Sequence, residues 1–221
     1  MKIYWSSRLS VERVWSDLLD QKNKKNDMSM FGCPAIRGAL KNVFMAVMPE
    51  TLVFNVGEND QIDSVYKSQK SRPESLVGGN TFQTQNFPIY FWSEEPVMMR
   101  ATAPWFHKTS YQSKGTVYPG EFNVGKWFRP LQLELHTWQK NDVVEIKENE
   151  PLYYIEFFTD KHIELQRFHL SPELLIMSDI LVNSPWQQQD SNTGTFNQRY
   201  EAYEKSDFAI RIKEEIQANL M

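Results

Sequence analysis

Between residues 130 and 158 the apolar positions follow a period of two, and no other feature restricts the fold of this chain so strongly. Leu131, Leu133 and Leu135 alternate with Gln132, Glu134 and His136, so an extended strand puts the leucines on one face and the polar residues on the other. A helix, with a period of about 3.6, would scatter both sets around its axis. The segments VVEI and LYYIEFF continue the pattern across turn formers at QKND and KENEP. This spacing predicts an antiparallel meander running from about residue 127 to 169.

The rest of the chain adds strands upstream and helices downstream. Ser10 precedes Val11, Val14, Trp15, Leu18 and Leu19, a spacing that predicts an amphipathic N-terminal helix with Glu12 in its first turn. It fades in QKNKKND, whose three lysines have no aromatic neighbour and read as a solvated loop. VFMAV and TLVFNV, parted at Met48 and Pro49, read as strands. Residues 57–81 are polar and rich in turn formers, which predicts a long excursion from the core, either flexible or partner-contacting. FPIYFW and PVMMRATAPWF are broken by Pro88, Pro96 and Pro104, which suits edge strands and irregular crossings.

Beyond Leu170 the period changes. Ser171 and Pro172 open a helix over ELLIMSDIL, with Glu173 in its first turn, and PWQQQDSNTG ends it. Phe196, Tyr200 and Tyr203, then Ile212, Ile216 and Leu220, fall at helical spacings in a charged background and predict a terminal helix docked on the β core. The expected architecture is α+β, a mainly antiparallel β sandwich or barrel with an N-terminal helix and C-terminal helices packed on it. One domain is expected over residues 1–221, with a β-rich core over about 28–170 and a helical segment over about 171–221.

Composition narrows the function classes. With 41% hydrophobic and 14% aromatic residues, the 221-residue chain can bury one sizeable core. No run approaches the roughly 18 apolar residues of a membrane span, and MKIYWSSRLSVERVW lacks the apolar core of a signal peptide. A formal net charge of -4 supplies no general attraction to nucleic acid or to an anionic membrane. Cys33 is the one cysteine, which rules out an intrachain disulfide and a cysteine-based zinc cluster and fits a reducing compartment. In its Gly-Cys-Pro setting it reads as a small buried apolar residue, not a catalytic thiolate.

Three places carry candidate chemistry. PGEFNVGKWFRP, residues 119–130, combines Gly120 and Gly125 with Pro119 and Pro130. As a structural corner it would place Trp127 and Phe128 over the end of the core. As a binding loop it would offer Lys126 and Arg129, beside the aromatic Trp127, to an anion or a planar ligand. Glu134 with His136, and His162 with Glu164, each share one strand face, so adjacent strands would bring four ligands to a divalent metal. The bland alternative is an exposed polar face, and no cofactor is expected. His107 lies near Ser110 and Tyr111, but no nucleophile elbow accompanies them, and Gly78-Gly79 lacks the lysine of a phosphate loop.

The succession PGEFNVGKWFRPLQLEL, VVEIKENEPLYYIEFF and a charged strand ending in RF, with CPAIRGALKNVF upstream, resembles uncharacterised proteins of tailed bacteriophages, especially marine T4-like ones, over residues 31–175. The resemblance implies a viral origin and carries no catalytic residues. A fainter similarity, in topology, is to the β-clip fold of trimeric dUTPases and dCTP deaminases. The uracil-binding hairpin, catalytic carboxylate and phosphate motif of those enzymes have no counterpart in this sequence.

Taken together, these readings favour a non-enzymatic phage protein that works through protein contacts, with a homo-oligomer among the partners and no membrane. Its expected place is the cytoplasm of the infected cell or the virion. The alternative is a small-molecule binder or enzyme, acting on nucleotides, with its site at Lys126, Arg129 and the His/Glu strand face.

Overall fold

A strand buried at every position needs cover on both faces, and the VFMAV strand, β3 (Val43–Val47), is of this kind. Phe44 and Ala46 point into the main core, while Val43, Met45 and Val47 join Leu40 and Val14 in a second cluster behind the sheet. The N-terminal strand β1 (Lys2–Ser6) repeats the arrangement in another sheet: Ile3 and Trp5 enter the main core and Tyr4 faces a third cluster. Each fully buried large apolar side chain contributes about 1.5–3 kcal/mol. Two sheets therefore stack face to face, and each is covered on its outer side.

The computed structural model describes residues 1–14, 33–56, 62–63, 69–72, 81–139, 143–183, 201, 203–204 and 206–221. The first sheet runs in the order β14 (Glu164–Arg167), β1, β7 (Thr81–Trp92), β11 (Pro130–Thr137) and β9 (Gly115–Val117), with β6 (Gln69–Arg72) also pairing with β7. The second runs β10 (Gly120–Asn123), β8 (Met98–Thr102), β13 (Pro151–Phe157), β3 and β2 (Ser10–Arg13). A small third sheet holds β12 (Val143–Ile146), β4 (Leu52–Val56) and β5 (Ile62–Asp63). The β1–β14 pair is parallel and the other described pairs are antiparallel.

Helices cover the outer faces. The short α1 (Pro34–Leu40) places Leu40 and Ile36 behind β3. On the far side of the first sheet, α2 (Pro172–Asn183) supplies Leu174 and Met177, and α3 (Phe208–Ala218) supplies Ile212 and Ile216. These pack with Tyr4, Tyr90, Trp92 and Phe128. The expected α+β class, the strands VFMAV and TLVFNV, and the two C-terminal helices are present. The sheets are open, and among the described residues none closes into a barrel.

Three expectations are corrected. The segment from 127 to 169 is not a meander, because β11, β12, β13 and β14 go to the first, third, second and first sheets in turn. Alternation specifies which face of a strand is buried but not which strand lies beside it. FPIYFW and PVMMRAT are central strands, since β7 lies between β1 and β11, and β8 between β10 and β13. Pro88 is tolerated because the β7–β11 register shifts there, leaving residues 85–88 outside the ladder to β11.

The third correction concerns the N-terminal helix. Ser10–Arg13 is strand β2, paired with β3, and helical backbone begins no earlier than Val14. The remainder of that prediction, through Leu19, lies outside the described residues. So do QKNKKND, most of the 57–81 excursion, Phe196 and Tyr200.

Candidate functional site

PGEFNVGKWFRP connects the two stacked sheets, beginning beside β10 and ending as β11 starts at Pro130. Its glycines serve close approach. A Cβ at Gly125 would lie 2.4 Å from the Glu95 carbonyl oxygen and 2.8 Å from Pro96 Cα, so the turn packs directly on the backbone of residues 95–96. The Val124 amide donates to the Val97 carbonyl at 3.1 Å, and the Gly125 amide to Asn123 Oδ1 at 3.2 Å. Phe128 is fully buried in the cluster beneath the C-terminal helices.

The other three side chains form a wall. The Arg129 guanidinium carbon lies 4.0 Å from the Phe122 ring centroid and 4.7 Å from that of Trp127, holding the cation by cation–π attraction. Lys126 is ion-paired with Glu204. The segment is thus both of the things its sequence suggested, a corner and the lining of a concavity.

That concavity has two connected parts. A cleft of about 740 Å³ is lined by Glu121, Lys126, Trp127, Arg129, Glu201 and Glu204, among others. A second, of about 460 Å³, shares Gly120, Phe122, Trp127 and Arg129 with it and continues past Val117, Leu131 and Glu134 to Tyr153. Described carboxylates around the two are Glu121, Glu134, Glu201 and Glu204, against the cations Lys126 and Arg129. The first cleft carries three of these carboxylates and both cations, and the second only Glu134 and Arg129.

The second cleft exists because β9 is short. Its three residues pair with β11 only at Leu135, His136 and Thr137, and Tyr118 adds one hydrogen bond to the Glu134 carbonyl at 2.9 Å. Among the described residues no strand flanks the first half of β11 on that side. The cleft is therefore lined from both faces of β11: Leu131 on the face packed against the main core, and Gln132 and Glu134 on the other. Tyr153 reaches it from β13 inside the sandwich, 1% exposed, with no hydrogen-bond partner for its hydroxyl. Burial pushes the Tyr153 phenol well above its ordinary pKa.

No protein-family model matches the chain, and neither a curated protein nor a solved structure is similar to it. The site must be judged on its own geometry.

The remaining candidates lie elsewhere. The Glu134/His136 pair is on β11 and Glu164 is on β14, with β1 and β7 between them. Three inter-strand spacings separate those strands by about 14 Å, too far for one metal ion. His162 precedes β14 on the same side, and no group of three acidic, histidine or cysteine side chains suited to a metal occurs among the described residues. His136 is buried between Tyr118 and Trp138, with ring centroids at 5.8 and 5.7 Å.

His107 contacts the Tyr154 hydroxyl through Nδ1. The Ser110 hydroxyl instead has the Glu150 carboxylate and the Glu145 carbonyl as acceptors for its one proton, at 2.5 and 2.7 Å, and its amide donates to the same Glu150 carboxylate. Serine and histidine are each held by other groups, which is a structural arrangement, not a nucleophile with its base. Cys33 is exposed at the start of α1, contrary to the buried position expected, and the backbone amide of Ile36, then that of Ala35, lowers its thiol pKa. Sequence reasoning missed Tyr153 altogether. A tyrosine within LYYIEFF looks like core, and its one distinguishing signal is a polar atom in a strand otherwise buried on both faces.

Proposed function

We propose that this protein acts through contacts with other proteins, itself among them, rather than as an enzyme. The observation that carries this reading is the composition of α2. Leu174 and Met177 are buried against the first sheet, yet Leu175, Ile176 and Ile180 on the opposite side are 45%, 59% and 47% exposed. Exposed apolar side chains clustered on the side of a helix turned away from its core are suited to a partner. Ile210 of the neighbouring α3 is 62% exposed and extends the apolar character of the helical layer.

The resemblance of residues 31–175 to tailed-phage proteins supports a setting for such contacts: particle assembly, or an accessory role in the infected cell. The formal net charge of -4 is consistent with partners other than nucleic acid. Among the described residues no helix is long and apolar enough to cross a membrane.

Native mass spectrometry of the purified chain tests the reading. The expected result is an oligomer that the double substitution Ile176→Glu and Ile180→Glu returns to monomer, with the thermal transition retained because both positions are on the open side of α2. A monomer carrying a bound small molecule would overturn it.

A further inference from the structure

We propose that the first half of β11 receives, as an added strand, the extended C-terminal tail of a partner protein, running antiparallel to β11 with its terminal carboxylate at Arg129. This surface is separate from the open side of α2, so either contact can fail without the other.

Backbone geometry identifies the edge. The Tyr118 amide donates to the Glu134 carbonyl at 2.9 Å, so Glu134 turns its peptide groups toward the β9 side. Neighbouring residues of a strand bond in opposite directions, and Gln132, two positions earlier, therefore turns its amide and carbonyl the same way as Glu134. The irregularity in the β7–β11 ladder leaves this alternation intact, because its extra residues, 85–88, are on β7. Beyond Tyr118 the chain leaves for β10 at Pro119, and no described strand lies beside residues 130–132. Pro130 suits such a place, since proline is tolerated where its missing amide hydrogen faces an open edge.

An edge of this kind is completed by backbone, and the cleft beside it selects which backbone. A strand continuing the line of β9 would start beside Glu134 and end beside Arg129, the one carboxylate and the one cation among the described residues lining this cleft. These are five residues apart, about 16 Å of extended chain. Arg129, held against Phe122 and Trp127, presents a planar fork that matches a carboxylate. The opposite direction would set that carboxylate against Glu134. Along the added strand, the side chain opposite Leu131 points between the sheets, where Ala101, Val117 and Leu131 form an apolar wall. The side chain opposite Gln132 points outward, within diagonal reach of Glu134, and is basic. The tail so defined reads apolar, basic, apolar, then the terminal residue.

The probe is the tetrapeptide acetyl-Val-Lys-Val-Ala with a free carboxyl end, titrated into the full chain by calorimetry. Its C-terminal amide should bind about tenfold more weakly, the worth of a charge-assisted hydrogen bond to Arg129. Methylating the backbone nitrogen of the lysine, which faces Gln132, should weaken binding about tenfold or more, whereas methylating that of the next valine, which faces away, should change it by less than about threefold. That contrast marks an added strand, and a site built from side chains would not reproduce it. Glu134→Gln, at a half-buried position, should weaken the peptide about threefold with the thermal transition retained. Absence of binding overturns the proposal, and is also what an edge already filled by other residues of this chain would give. Equal affinity for acid and amide, or equal tolerance of the two methyl groups, overturns it as well.

Discussion

Asn42 shows how much one residue can be asked to hold. It adopts φ 59°, in the left-handed region that asparagine tolerates better than most residues, at the entrance to β3. Its side-chain amide donates to the carbonyls of Thr159 and Lys161 at 2.8 and 3.0 Å, and its own carbonyl accepts the Phe157 amide at 3.2 Å. Asn42→Ala takes this donor from two part-buried carbonyls and puts alanine at a positive φ, so denaturant unfolding should show a loss of about 2–4 kcal/mol. Asn42→Asp should cost at least as much, because its carboxylate faces the same two carbonyls. Gly125 and Gly120 make a second comparison. An added methyl at Gly125 meets backbone, while at Gly120 it meets the Phe122 ring at 2.7 Å, and a ring can turn aside. Gly125→Ala should therefore cost about 1–3 kcal/mol and Gly120→Ala less, measured by the same unfolding experiment.

At the scale of elements, the start of α2 was legible, whereas α1 and several strands, β2 among them, were not. Ser171 caps α2 as its sequence suggests, accepting the Leu174 amide at 3.2 Å. Ser171→Ala should destabilise the protein by about 1 kcal/mol, read from the shift in its thermal midpoint. Signals of this kind lie within four residues of each other, which is why the sequence displays them. Strand β2 misled for a physical reason. Val11 and Arg13 are its half-buried residues, and Arg13 places its guanidinium 4.9 Å from the Phe44 ring centroid and hydrogen-bonds the Ile163 carbonyl. An arginine that packs inward by its stem counts structurally as apolar, yet in a hydrophobicity pattern it counts as polar. The alternation of β2 was hidden by that one residue, and the apolar positions beyond it then suggested a helix. The cleft was half legible for a similar reason: the glycines, rings and cations of residues 119–130 announced a corner, whereas Tyr153 was disguised among apolar neighbours.

For the whole molecule, the order of strands within sheets escaped the sequence because the partners are distant in the chain: β1 pairs with β7 and β14, and β3 with β13. Such pairing is decided by which apolar faces fit together after collapse, information no local window holds. The same long-range packing buries Tyr90, Tyr111, Tyr153 and Tyr203. Desolvation is the largest influence on each and raises all four phenol pKa values above 10, although Ser178 beside Tyr90 and the Trp92 contact of Tyr203 pull the other way. The sign follows from linkage. Below about pH 10 these phenols are neutral both folded and unfolded, so the stability is fully present; above it the unfolded chain ionises first, and stability is lost as pH rises toward the raised folded values. Alkaline titration should therefore show tyrosinate absorbance from these residues rising together with loss of folded structure, in one cooperative step. Tyr153→Phe removes one such group and should move that step to higher pH. Gradual ionisation of all four in a chain that stays folded would instead mean that water reaches them, and that the packing joining the distant strands is looser than the geometry requires.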